Sequence, residues 1–230
     1  MKRIITTIVL CFMPLICFAQ EAKTQNFYEK PAERFIGLRD QAFRASAKNI
    51  GIKVTSASEP WGVIMEIGFP EAAVTLVSLK DGTASLYFAN GGGVIGGGEH
   101  KSVSENAKNF VTISNDFFSL MNKTVDYPLP EIGKVRFYIL TESGIFASKS
   151  IDAKELGEGS DRLSGLFYLG HEVVTALQKI DQKRLVSPPD LERSRRGRAR
   201  ESGVLVTRKG SRVRIPPSPF YFALQLRISR

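Results

Sequence analysis

The sequence predicts an α+β domain: a mostly antiparallel five-stranded sheet packed by three helices, in the order α-β-β-β-α-β-β-α. Three observations carry that expectation. Five short apolar runs are separated by turn residues rather than by long crossovers, so neighbouring strands should pair antiparallel. Lys80-Asp81-Gly82 stands between two runs rich in β-branched and aromatic residues, a strong hairpin signal. Two later segments carry apolar residues at helical spacing along one face.

Taken in order, Pro31 suits a first helical turn, and Phe35, Leu38, Ala42 and Ala45 follow at helical spacing until Gly51 ends the run. Trp61 to Phe69 reads as the first strand, stopped at Pro70. Ala72 to Leu79 and Thr83 to Ala89 read as the hairpin around Asp81-Gly82. The second helix is the clearest, with Val103, Ala107, Phe110, Val111, Ser114, Phe117, Phe118 and Met121 on one stripe. Tyr127-Pro128-Leu129-Pro130 is too rigid for either regular element. Val135 to Thr141 and Ile145 to Ile151 form a second hairpin bent at Ser143-Gly144. Leu163, Leu166, Phe167, Gly170, Val173, Val174 and Leu177 mark the last helix, with Asp161 or Ser160 as its cap.

The two ends of the chain read differently from the middle. Met1-Lys2-Arg3, an apolar stretch from Ile4 and a small-residue exit at Ala19 form a secretory signal over residues 1–19. Its apolar part is about fifteen residues and contains Pro14, short of the roughly twenty a spanning helix needs, so a cleaved signal is favoured over an uncleaved anchor. The expected location is periplasmic or secreted, with no stable membrane anchor. Both cysteines, Cys11 and Cys17, lie in that signal, so the mature chain has no disulfide and no thiolate chemistry. Residues 20–30 are a polar lead-in to a single domain over 31–182.

The chain carries a net charge of +9, and residues 183–230 alone carry +10, leaving −1 for residues 1–182. The basic partner signal of the whole chain therefore rests on one terminal segment. Residues 186–230 read as a basic disordered tail. Back-translation explains the composition: Arg212-Val213-Arg214-Ile215-Pro216 fits CGG-GTT-CGA-ATC-CCG, a transfer-RNA T-arm, and Gly197-Arg198-Ala199 fits a D-arm. The tail is thus expected to be read-through of a transfer-RNA gene. A disordered arm and a nucleic-acid-binding tail are the competing readings of such Arg-, Gly- and Pro-rich sequence. Without it the domain is mildly acidic, and no nucleic-acid partner is expected.

The sharpest local feature is Asn90 to His100, where six glycines join the third strand to the second helix. Gly91, Gly92, Gly93, Gly96, Gly97 and Gly98, with His100 and Ser102, form the candidate ligand- or partner-binding set. Gly91, Gly93 and Gly96 match G-x-G-x-x-G, and the following helix start would aim N–H groups at an anion. Against an anion cradle stand the antiparallel context, the lack of Lys or Arg in the loop, and Asp116 falling inside a helix rather than ending a second strand. A structural connection with tight backbone bends and a peptide-binding flap are the other two readings. His171, the other histidine, sits on the last helix. Glu66, Glu71, Asp81 and Glu99 are carboxylates with no deducible pairing. No metal, no cofactor and no catalytic residue is expected.

The element order over residues 31–182 is similar to that of small type III secretion chaperones and, more loosely, of roadblock and profilin-type sandwiches. The resemblance is one of order, not of motif, and folds of this kind host unrelated functions. The export signal departs from those families, whose members mostly work in the cytoplasm. The functional expectation is an exported, non-enzymatic binding or assembly module that presents a sheet edge, helix stripe or glycine flap to another protein or peptide. The alternative is a small hydrolase or anion/ligand-binding enzyme using the loop 91–98 and His100. A homodimer is a further expectation, since Phe117-Phe118 widens an already apolar helix; the same pair also reads as core.

Overall fold

A computed structural model describes residues 30–186, with side chains to Asp181. The signal at 1–19, most of the polar lead-in and the basic tail beyond 186 lie outside the described residues. The chain folds as one α+β domain whose strand pairs are all antiparallel. The expected five strands are present as β1 (Gly62–Gly68), β2 (Ala73–Leu79), β3 (Ala84–Phe88), β6 (Lys134–Thr141) and β7 (Gly144–Ala147). Three short strands make the count eight instead of five: β4 (Gly93–Val94), β5 (Asn122–Thr124) and β8 (Ile151–Asp152). Runs of two or three residues carry no period of their own, so only pairing with a formed sheet defines them. The sheet order is β4-β3-β2-β1-β6-β7-β5, with β8 also on β6.

Four helices replace the expected three: α1 (Glu33–Arg44), α2 (Lys101–Ser114), α3 (Ala153–Glu158) and α4 (Ser164–Val186). The extra one, α3, is under two turns. Asp152 caps it by accepting from Lys154 N–H at 2.8 Å, and Gly159 at φ 77° ends it. The stripe expected to run unbroken to Met121 changes character after Ser114, where the chain tightens into 3₁₀ turns over Asn115–Leu120. Ser114 Oγ donates back to Val111 O at 2.7 Å, a local bond that competes with regular helix at its end.

Both faces of the sheet are covered, and the period-two alternation of the strands sorts their side chains between two cores. Val63, Met65 and Ile67 of β1, with Val135, Phe137 and Ile139 of β6, face α2, α3 and α4. Ile64, Tyr138 and Leu140 face the other way, against Phe35 and Phe43 of α1 and the chain that follows it. Every residue of β1 is buried, as a central strand covered twice requires. The stripes of α2 and α4 are consumed in the first core: Val103, Phe110, Leu166, Val173 and Leu177 are all buried. Phe117 and Phe118 pack against the same core, Phe118 at 4.5 Å from Phe146.

The Asp81-Gly82 turn forms as expected. Leu79 N–H donates to Thr83 O (2.8 Å), Thr83 N–H donates to Asp81 Oδ1 (2.8 Å), and Gly82 takes φ 94°. Asp161 caps α4, accepting from Leu163 N–H at 2.7 Å, while Ser160 Oγ donates to Glu155 O at the end of α3. The loop between α1 and β1 is tied down by Glu59, which accepts from Lys80 Nζ and from Thr55. Those donors, Lys80 first, hold its carboxyl down to about 2. Among the described residues no helix is long and apolar enough to cross a membrane.

His171 on α4 is partly buried, packed edge-on against Phe167 at 4.3 Å, and its Nε2 is sealed from solvent without a hydrogen-bond partner. Burial pushes its pKa down to about 4. The unfolded chain, with an ordinary histidine near 6.5, therefore takes up the proton first as the pH falls. Stability is complete above about pH 6.5 and declines as the pH drops towards about 4. Denaturant unfolding should show a loss of about 1–2 kcal/mol between pH 7 and pH 5, where few carboxylates titrate. That loss should vanish in His171→Leu; an equal loss in the variant would assign it elsewhere.

Candidate functional site

The loop from Asn90 to Ser102 is a folded knuckle rather than a loose connection. It leaves β3 by a turn in which Gly91 N–H donates to Phe88 O (2.8 Å) and Phe88 N–H to Gly92 O (3.0 Å). Asn90 Oδ1 accepts from Gly92 N–H at 3.1 Å, which closes the bend from inside. Gly93 and Val94 then form β4 against Tyr87 and Leu86. Gly96 N–H donates to Ser85 Oγ at 3.3 Å, and a 3₁₀ turn over Gly97–Glu99 leads into α2.

The glycines have separable reasons. Gly91 (φ 90°) and Gly96 (φ 71°) take left-handed backbone conformations that other residues rarely adopt. Gly98 lies against the Asp81-Gly82 turn, where an added Cβ would stand 2.8 Å from Gly82 O and 2.9 Å from Thr83 Cα. At Gly97 an added Cβ would run into the Leu177 side chain. Gly93 is closed off by the Leu86 carbonyl. Gly92 contributes its N–H and C=O to the bend.

Val94 is buried beneath the knuckle, whereas Ile95 between β4 and Gly96 is 50% exposed. His100 and Ser102 are both exposed. His100 is the N-cap residue of α2, with its backbone N–H on Gly97 O at 3.1 Å. No side-chain hydrogen bond or ion pair is made by His100 among the described residues. The structure thus brings the glycines together around Ile95 and leaves His100 and Ser102 on the adjoining rim. The N–H groups of Gly91, Gly92 and Gly96 are bonded inside the loop and do not converge on a point where an anion would sit.

Sequence reasoning missed a second constellation, on the α1 face. Glu66 of β1 is completely buried and accepts from Arg39 Nε (2.7 Å) and Nη2 (2.8 Å) and from Thr75 Oγ1 (2.7 Å). Arg39 Nη2 also donates to Tyr127 O at 2.6 Å, and its guanidinium lies 4.8 Å from the Phe43 ring centroid. Tyr127 stacks on Phe43 at 4.3 Å, and Tyr138 meets Phe43 edge-on at 4.9 Å. Burial works against the charge on Arg39, but the Glu66 carboxylate outweighs it and the pKa moves up. Burial, then the Glu66 charge, pushes Tyr138 up to about 12. This cluster pins the Tyr127-Pro128-Leu129-Pro130 strap across the sheet; Tyr138 Oη donates to Pro128 O at 3.3 Å. The signal was a lone carboxylate in the apolar run Trp61–Phe69, since a charge at a buried strand position requires a partner.

Comparison with protein-family models, with curated proteins and with solved structures found no match.

Proposed function

We propose that the chain is an exported, non-enzymatic binding module whose contact with another protein is the glycine knuckle, with Ile95 as its apolar anchor. The observation that carries this reading is Ile95 held half out of the fold at the tip of an internally hydrogen-bonded loop. A preorganised apolar anchor ringed by polar groups binds without the entropy cost of ordering a flexible segment. Glu99, His100, Lys101 and Ser102 supply such an exposed polar rim.

The other two modes of presentation have less to offer. The helix stripes are spent on the core. The sheet edges are short: β4 has two residues, and β5 has three, with exposed Lys123 and a Thr124–Asp126 turn that stops the ladder. The strap supports a second reading, because Val125 (81% exposed) and Ile132 (57%) flank it.

The test is partner capture with the full chain from the exported fraction of its host. Ile95→Asp should abolish capture of a partner that the wild type retains, with unfolding unchanged. If Val125→Asp abolishes it and Ile95→Asp does not, the strap is the contact.

A further inference from the structure

The strand expected over Ile145–Ile151 is interrupted between β7 and β8, and the interruption is built rather than loose. Ser148 is buried; its N–H donates to Phe137 O (2.9 Å), and its Oγ accepts from Phe137 N–H (3.0 Å) and donates to Lys149 O (2.7 Å). The hydroxyl stands in for a ladder carbonyl, so β6 stays satisfied across a bulge that turns Lys149 and Ser150 outward. Bulges of this kind re-aim side chains at the rim of a sheet.

Lys149 and Ser150 open onto a depression of about 400 Å³ on the far side of the sheet from the glycine knuckle's edge strand, bordered by the start of α3 and the turn before α4. Six charged side chains line it: Lys134, Lys149 and Arg162 against Asp152, Glu155 and Asp161. The acids are largely committed. Asp152 accepts from Lys154 N–H (2.8 Å) and Lys134 Nζ (3.4 Å), and Asp161 accepts from Leu163 N–H (2.7 Å). The side chains of Lys149, Arg162 and Ser150 have no hydrogen-bond or ion-pair partner among the described residues. Glu155 is the one uncommitted acid, which leaves a surplus of one positive charge and one hydroxyl donor.

We propose that this depression is an anion-binding site for a small molecule bearing a carboxylate or phosphate group, held by Lys149, Arg162 and the Ser150 hydroxyl. Charge-assisted bonds from an ammonium and a guanidinium are the strong class of contact for either group. The site is independent of the knuckle, and either can fail without the other.

The test is residue-resolved amide NMR on the full chain, titrated separately with inorganic phosphate and with succinate. Amides of Lys149, Ser150, Arg162 and Leu163 should shift saturably with at least one of them, and the better ligand identifies the anion class. The exposed double substitution Lys149→Gln/Arg162→Gln should weaken that binding at least about tenfold, the loss expected when two charged donors become neutral. Binding unchanged in the double variant overturns the proposal. So do shifts that do not saturate, or that are confined to the arginine-rich residues beyond 183.

Discussion

Replacing Glu66 with Gln is expected to cost about 3–5 kcal/mol of folding stability, the penalty for leaving a buried charge without its partner. Glu66 is completely buried and takes three hydrogen bonds, two of them from Arg39. The amide keeps the shape and one or two of those bonds but removes the negative charge. Arg39 is then left charged under Phe43 and the strap, with Tyr127 O as its remaining acceptor. Arg136, opposite Glu66 on β6, compounds the imbalance, because its Nε is already buried without a partner. A domain of this size has about 5–15 kcal/mol in total, so the variant should sit close to its unfolding threshold. Urea unfolding measures the loss directly. Thr75→Val, which removes one neutral donor, should cost only about 1 kcal/mol. A Glu66→Gln variant as stable as wild type would mean that the ion pair is exposed or unformed.

Gly93→Ala should lose about 2–3 kcal/mol, because the new Cβ would collide with the Leu86 carbonyl across the β3–β4 pair. The obstruction is backbone, so it cannot rotate away, and relief requires β4 to detach from the sheet. Gly96→Ala meets no neighbour within 4 Å but must hold φ 71°, so its cost should be about 1 kcal/mol. Thermal unfolding of the two variants separates crowding from backbone strain. Equal, negligible effects would mean that the knuckle is not packed as described.

The contrast between elements shows what periodicity carries. The α2 and α4 stripes and the Asp81-Gly82 hairpin were legible because each rests on local chemistry repeated over several residues. β4, β5 and β8 were not, since their pairing is decided by distant partners such as Leu86, Phe146 and Val135. The break at Ser148 was equally silent, because a serine hydroxyl replacing a carbonyl leaves no pattern in the sequence. The glycine loop was found by composition, but its shape depends on Asn90, Ser85 and Leu177, which no spacing rule connects to it. Glu66 stood out as a charge in an apolar strand, yet its partner Arg39 lies 27 positions away on α1.

The central claim is that Ile95 at the knuckle makes contact with a partner and that His100 performs no chemistry. The most direct measurement is quantitative partner capture by full-length wild type, Ile95→Asp and His100→Ala, each matched for stability by unfolding. Capture lost in Ile95→Asp and retained in His100→Ala is the expected result. Retention in Ile95→Asp, together with a substrate turnover that His100→Ala abolishes, would contradict the account and make the loop an enzyme site.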